Sequence, residues 1–294
     1  MKVLSLFDGI SCARVALERA GIKVTEYYAA EIDKFAIKCT TENWKETIQI
    51  GSVTDIKFID GKLITKDKIY EVGEFDIVVG GSPCQSFSNA GDGSGFEGKS
   101  GLFYEFLRIL REVNPKYFLL ENVSMKKEWQ AVIDREMGVD PITINSSLVS
   151  AQNRKRLYWT NIPNITQPKD KGIVLRDILE TSADRIYDLS PTAVDYMSRL
   201  RNGKPRWEFH RNPLDDKASC LTANMYKGVP YGVIQELNRK LTPLECERLQ
   251  TLPDGYTEML SNTQRYKTIG NGWTVDVIVH LFTSLKKDMK NVTN

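Results

Sequence analysis

The sequence predicts a doubly wound, Rossmann-like α/β fold with a smaller, irregular second domain. Three observations predict it. Residues 3–7 read as a strand and Asp8-Gly9-Ile10-Ser11-Cys12 as a turn. Val15, Ala16, Leu17 and Ala20 then mark a helix ending at Gly21, and residues 24–30 a second strand ending in Glu31. Strand, glycine turn, helix, strand and acid open a nucleotide-binding unit, where an acid ~20 positions past the turn holds ribose hydroxyls. Ile77-Val78-Val79 is uninterrupted and β-branched, which suits a parallel strand buried on both faces. From residue 161 to about 240, prolines and short segments replace the βα rhythm.

The remaining elements follow in order. Residues 33–43 have a helical pattern, and Gln49-Ile50-Gly51-Ser52-Val53 marks the end of a third strand. Residues 58–74 are charged and alternating, which predicts a small hairpin insertion. After the fourth strand, at 77–79, Gly80 and Gly81 let the backbone turn sharply and let another group come close. Five glycines, at 91, 93, 95, 98 and 101, give the next stretch the composition of a mobile lid or of a plain connection. Leu102, Phe103, Phe106, Leu107, Leu110 and Val113 share one helix face. Residues 117–120 are a fifth strand, closed by Glu121-Asn122-Val123. Residues 142–149 and 157–160 are further strands around a dense basic turn, Gln152-Asn153-Arg154-Lys155-Arg156. Leu241-Thr242-Pro243 opens a helix with a threonine cap and a proline in its first turn. Gly270 and Gly272 predict a turn over 266–273, and residues 275–285 form the last helix.

Bulk properties narrow the function classes. The chain has 294 residues, 41% of them apolar and 27% charged, as in ordinary globular proteins. No apolar run approaches the ~20 residues that span a membrane. The opening apolar run meets Asp8 too soon for a signal peptide, so an intracellular protein is expected. The five cysteines, Cys12, Cys39, Cys84, Cys220 and Cys246, are odd in number and widely spaced, which favours reduced thiols over disulfides or zinc. With only His210 and His280, a histidine triad or metal centre is not expected. A net charge of +2 neither demands nor excludes nucleic acid, so local patches decide.

Such patches exist. Cys84 follows a strand, where parallel folds place their ligand sites, although most free cysteines are simply buried. Glu121 stands on the same rim. The turn at 152–156 is either functional or a solvated hairpin tip. Arg199, Arg201, Lys204, Arg206 and Arg211, interleaved with Tyr196, Trp207 and Phe209, suit nucleic acid or else form a solvated basic face. The three-glycine dinucleotide fingerprint is absent, because Ser11 and Cys12 occupy later glycine positions; a nucleoside without a pyrophosphate remains compatible.

Taken together, these residues resemble the DNA (cytosine-5) methyltransferase family over nearly the whole chain. The carriers are Phe7-Asp8-Gly9, Pro83-Cys84-Gln85, Glu121-Asn122-Val123, the 152–156 turn, Leu241-Thr242-Pro243 with Glu245, Arg248, Leu249 and Gln250, and Gly270-Asn271. Phe7-Asp8-Gly9-Ile10, Gly80-Gly81-Ser82-Pro83-Cys84 and Trp273 leading into His280-Leu281-Phe282 are most similar to the catalytic domains of eukaryotic de novo enzymes. The resemblance implies an S-adenosylmethionine-dependent methyltransferase fold, with a catalytic domain over 1–160 and 264–294 and a target recognition domain over 161–263.

The implied chemistry accounts for the residue types. Carbon 5 of cytosine is a poor nucleophile until a thiolate, here Cys84, adds to carbon 6. Either Arg154 or Arg156 can supply charge that favours the thiolate. Glu121 acts as general acid at ring nitrogen 3, which needs a raised pKa. By resemblance, Arg154 holds the carbonyl oxygen of the base. Phe7, Asp8, Gly9, Ile10 and Ser11 wrap the methionine end of the methyl donor, and Glu31 takes its ribose. Ile32, Ser52, Val53 and Leu102 line the adenine side, and Asn271 and Trp273 close the pocket. Ser11, Ser52 and Gly272 depart from the family pattern, and Asp55 is an alternative to Ser52. Weaker cofactor binding is the expected result.

Double-stranded DNA is the implied partner, with the target cytosine flipped out of the helix. Ser86, Gln152, Arg199, Arg201, Arg206 and Arg211 are the candidate DNA contacts. No metal is implied, and a companion restriction nuclease is an open question. The setting is the cytoplasm or nucleoid of a prokaryotic or phage-infected cell, or a nucleus if the source is eukaryotic. Two alternatives stand beside this reading. One is methylation of transfer RNA, whose branch carries a Cys-Phe-Thr signature not found here; the other is an inactive, DNA-binding relative.

Overall fold

The computed structural model describes residues 1–83, 99–210 and 212–292. Cys84, Gln85, Ser86, Arg211 and most of the glycine-rich stretch lie outside the described residues. The chain forms two compact units: 1–144 with 155–167 and 278–294, and 145–154 with 168–277. The expected functional boundaries differ from this partition, which sets 145–154 and 264–277 in the second unit.

The first unit is built on a seven-stranded sheet. Its strands are β1 (Lys2–Leu6), β2 (Glu26–Ala30), β3 (Ile48–Gln49), β4 (Ile77–Gly80), β5 (Tyr117–Val123), β6 (Ile142–Asn145) and β7 (Lys155–Thr160), in the spatial order β3-β2-β1-β4-β5-β7-β6. Neighbours from β3 to β5 run parallel, and β7 is antiparallel to β5. The order reverses between β1 and β4, the topological switch point at which doubly wound sheets bind ligands.

The helices of this unit follow the apolar spacing. α1 (Cys12–Arg19) buries Val15, Ala16 and Leu17. α2 (Lys34–Asn43) is capped by Asp33, which accepts from the amides of Phe35 and Ala36. α3 (Phe103–Val113) buries Phe103, Phe106, Leu107 and Ile109 against the sheet. α4 (Lys127–Met137) was not anticipated, although Trp129, Ile133 and Met137 repeat at four-residue spacing before Gly138, a left-handed C-cap. The insertion at 58–74 is a three-stranded antiparallel sheet of Lys57–Ile59, Lys62–Ile64 and Ile69–Glu71, not a single hairpin. Phe58, Leu63 and Tyr70 share its inner face and join the core.

The second unit is mostly irregular, as its prolines predict. It holds α5 (Pro191–Ser198), α6 (Pro243–Leu249) and α7 (Asn262–Asn271) among short 3₁₀ turns. α7 corrects the expected turn at 266–273. Gly270 does not break this helix; it serves close approach, since a Cβ there would lie 2.3 Å from the Thr222 carbonyl group. α8 (Val275–Val292) is longer than expected. From Ile278 onward it belongs to the first unit, where Ile278, Leu281, Phe282 and Leu285 are fully buried. There Asp288 accepts from Tyr117 Oη at 2.7 Å, and Lys286 Nζ donates to Ala20 O at 3.0 Å.

Candidate active site

Register places the first unit's site residues. Leu6, Gly80 and Leu120 form one row across β1, β4 and β5. The next residues along the chain, Phe7, Gly81 and Glu121, therefore lie together at the carboxyl rim. Gly80 is required there: a Cβ would stand 2.7 Å from Leu6 O and 3.0 Å from the Phe106 ring. β5 runs through Glu121, Asn122 and Val123 and does not stop at Leu120, so Glu121 is set by sheet pairing opposite Tyr158. Its Oε1 meets Arg156 Nε at 3.0 Å, with both side chains mostly buried. Asn122 Nδ2 donates to Ser82 Oγ at 3.1 Å, fastening the backbone two residues before Cys84. Asn122 sits inside a motif the sequence singled out, yet its own task was not foreseen.

The β1–α1 loop is the second part of the site. Phe7, Gly9 and Ser11 all adopt positive φ, at 56°, 58° and 57°. Two of these are not glycine, a local strain that rigid surroundings must hold. Ser11 is fully buried, and its hydroxyl bonds Asp8 and, at 2.9 Å, Thr40 Oγ1. Asp8 also accepts from Tyr27 Oη at 2.7 Å. Burial pushes the Asp8 carboxyl up to about 6, against the lowering effect of its hydrogen bonds to Ser11, Ser5 and Tyr27. Ser11 thus stands where a glycine was expected because it completes this polar knot.

Glu31, just past β2, ties the loop to the next strand. Its Oε2 accepts from the Gly9 amide at 2.8 Å, and its Oε1 from the amides of Ile32 and Asp33 at 2.7 and 2.8 Å. Beside it Ile32 is 77% exposed, an apolar side chain with no core to enter. Ser52 caps the short turn Val53–Asp55, and its hydroxyl shares a 2.8 Å bond with Thr54 Oγ1. Val53 is buried, and its carbonyl accepts from Arg108 at 3.1 Å. Leu102 packs partly buried at the start of α3. A strand-end carboxylate beside a glycine loop at the switch point is the arrangement that holds a nucleoside's ribose in doubly wound folds, and exposed Ile32 offers an apolar surface beside it.

The second unit holds the first half of the basic turn, where Gln152 and Arg154 are buried and Asn153 is exposed. Arg154 is 4% exposed. Its guanidinium donates to Leu221 O at 2.8 Å, Gly272 O at 2.9 Å and Cys220 Sγ at 3.4 Å, while its buried Nε has no partner among the described residues. Gln152 is fully buried: its Nε2 donates to Leu249 O at 2.7 Å and Gln250 Oε1 at 2.9 Å, and its Oε1 accepts from the Leu221 amide at 3.2 Å. The turn is therefore not wholly solvated: Gln152 and Arg154 are turned inward while Asn153 and Lys155 are exposed. Gln250 donates in turn to Ile269 O and Gly272 O at 2.9 and 3.0 Å, fixing the backbone on either side of Asn271. Asn271 is exposed and Trp273 half-buried in this unit.

The Leu241-Thr242-Pro243 motif proves architectural. Thr242 and Glu245 form a reciprocal capping box at the start of α6, and Glu245 also pairs with Arg239 at 2.7 Å. Glu247 is fully buried and accepts from Arg265 at 3.0 Å. Of the described cysteines, Cys12, Cys39 and Cys246 are buried and Cys220 is intermediate. Burial pushes the Cys246 thiol up, so it is a packing group. Arg199 pairs with Asp195 at 2.6 Å, Arg206 lies over Tyr196 with its guanidinium carbon 4.6 Å from the ring centre, and Arg201 stands over Phe209 at 5.9 Å. No cluster of histidine, cysteine or carboxylate suited to a metal exists among the described residues, and no described helix is long and apolar enough to cross a membrane.

Strand order, switch point and rim residues define an α/β fold of the S-adenosylmethionine-dependent methyltransferase type. Comparison with known proteins gives the family. The family model of C-5 cytosine-specific DNA methylases matches residues 1–211 and 194–287, and the chain belongs to that family. It is 32% identical to the type II methyltransferase M1.ScrFI of Lactococcus lactis subsp. cremoris, over 94% of this chain and 76% of the relative. It is 28% identical to the type II methyltransferase M.NlaX of Neisseria lactamica, over 100% and 98%. In fold it is similar to a putative DNA modification methyltransferase encoded within an E. coli prophage, with a TM-score of 0.72 at 18% identity, covering 98% of this chain and 99% of the other. The S. pombe Dnmt2 methyltransferase gives 0.71 at 18% identity with the same coverage. The finer likeness of Phe7–Ile10 and 80–84 to eukaryotic de novo enzymes rests on the sequence alone.

Proposed function

We propose that the protein transfers a methyl group from S-adenosylmethionine to carbon 5 of a cytosine flipped out of duplex DNA, through a covalent adduct with Cys84. The observation that carries this is the Glu121–Arg156 pair at the rim, with Asn122 fastening Ser82 close before Cys84. In the reaction, the Cys84 sulfur forms a bond to carbon 6, and the displaced electron pair makes carbon 5 nucleophilic. Glu121 supplies the proton that neutralises ring nitrogen 3. When bound, the cofactor offers an electrophilic methyl group. Once carbon 5 holds the methyl, ring nitrogen 3 returns its proton to Glu121, a base removes the carbon 5 proton and the carbon–sulfur bond breaks, restoring the Cys84 thiolate and the aromatic ring.

One role is assigned differently in this reading. Arg154, expected at the carbonyl oxygen of the base, spends its donors on protein carbonyls. Arg156 stands against Glu121 and is the better candidate for both the oxygen and the thiolate. Glu31 would hold the ribose and Ile32 the adenine, with the Phe7–Ser11 loop at the methionine end and Ser52, Val53 and Leu102 beside them. Asn271 and Trp273 would hold the cofactor as the family resemblance implies. Gln152 would position the Arg154 segment and touch no base. The recognition role falls to the irregular part of the second unit, within the span 161–263. The type II names of the relatives support a modification enzyme paired with a restriction nuclease.

The test offers duplex DNA and labelled methyl donor to the wild type and to Cys84→Ser. The wild type should label cytosine carbon 5, and the variant should lose turnover; equal labelling by both would refute the mechanism.

A further inference from the structure

The second unit carries a basic feature that methyl transfer itself does not use. Leu200–Arg201 and Lys204–Pro205 pair as a two-stranded antiparallel ribbon. Asn202 and Gly203 close it with φ of 50° and 78°, the left-handed pair that makes the tightest hairpin turn. A Cβ on Gly203 would meet nothing within 4 Å, so the tip is narrow and open. The ribbon is exposed from Leu200 to Lys204, and Leu200 alone is 67% exposed. Its base is rigid by contrast. Met197 and Trp207, one on each side, are buried in a small cluster with Val233. The Arg206 amide and one of its guanidinium nitrogens both donate to Arg199 O at 3.2 Å.

The cations of this feature are held in two different ways. Arg199 and Lys204 sit in exposed ion pairs with Asp195 and Glu208, at 2.6 and 3.1 Å. Such pairs exchange readily for phosphates. The Arg201 side chain has no hydrogen bond or ion pair among the described residues; it stands over the face of Phe209 and close enough to His210 to interact with it electrostatically. A planar guanidinium braced by a ring keeps its donor edge available for a base. A merely solvated basic face would need neither the buried anchors nor an exposed leucine at its edge.

Resting on the DNA methyltransferase function proposed above, we infer that the Leu200–Pro205 ribbon reads base edges in the DNA major groove. Arg201 and Asn202 make the sequence-specific contacts, Arg199 and Lys204 hold phosphates, and Arg206 positions the ribbon. The groove admits a two-stranded ribbon, and arginine and asparagine are the side chains that bond guanine and adenine in bidentate fashion.

The test methylates a duplex library of degenerate sequence and reads the product by bisulfite sequencing. Wild type defines the recognition motif. Arg201→Ala and Asn202→Gly should each relax the motif at one or two base pairs, with discrimination there falling roughly 10- to 100-fold and the other positions kept. Arg201→Lys keeps the charge and should relax the same position, which guards against a folding defect in the alanine variant. Lys204→Ala should keep the motif, lower binding uniformly and reduce the salt slope by about one. An active wild type whose motif survives intact in the Arg201 and Asn202 variants would overturn this inference alone. A wild type inactive on every duplex would overturn the proposed function and the inference with it.

Discussion

Arg154 and Arg156 stand two positions apart and face different surroundings. Arg154 satisfies the carbonyls of Leu221 and Gly272 from a buried position, whereas Arg156 reaches Glu121. The two substitutions should therefore separate. Arg156→Ala is expected to lower kcat by roughly 10²–10⁴, the usual scale for a lost catalytic partner, and Arg156→Lys, which keeps a cation beside buried Glu121, should still lower kcat with a smaller change in unfolding midpoint. Arg154→Ala should instead strand buried acceptors and cost about 1–3 kcal/mol in urea unfolding. Basic residues were legible here as a cluster; their division was not, because a one-dimensional pattern does not say which side chain turns inward.

Asp8 gives a second residue-scale expectation. Its folded-state pKa is raised to about 6 by burial. The fold therefore gains from the neutral acid below its unfolded pKa and loses that gain as pH rises through about 6. A shift of this size corresponds to up to ~3 kcal/mol. Measured from pH 4 to pH 7.5, the stability of Asp8→Asn relative to wild type should rise by an amount of that order. A pH-independent difference would show that Asp8 ionises normally.

At the scale of elements, glycine was the least readable residue. Gly80 was read as a sharp turn and a place of close approach; it is the last residue of β4 and does not turn, but Leu6 O and the Phe106 ring do crowd it. Gly270 was read as part of a turn, but it lies in α7 with its bare α-carbon against the Thr222 carbonyl. Both uses exploit the missing Cβ, and only the partner surface distinguishes them. Gly270→Ala should shift that backbone contact and cost about 1–3 kcal/mol, seen as a lower midpoint by circular dichroism. α4 had a readable signal in Trp129, Ile133 and Met137, and the same spacing test that found α3 finds it. The capping box of α6 was visible as Thr242-Pro243 with Glu245, whereas the buried Glu245–Arg239 pair was not, because its partner lies outside the motif.

At the scale of the whole molecule, the parallel sheet and its rim were legible because strand, turn and acid recur in one order along the chain. The second unit was legible only as a change of character. Beside its apolar core it holds buried polar bonds such as those of Gln152, Gln250 and Glu247, which have no periodicity to read. The central claim for the whole protein is covalent catalysis by Cys84 on a flipped cytosine. Duplex DNA carrying 5-fluorocytosine tests it most directly, because the fluorine at carbon 5 cannot leave as a proton does and the sulfur–carbon bond cannot then be eliminated. With methyl donor present, the wild type should form a denaturation-resistant protein–DNA complex and Cys84→Ser should form none. A wild type that methylates ordinary cytosine in this duplex yet yields no such complex on the fluorinated base would contradict the account.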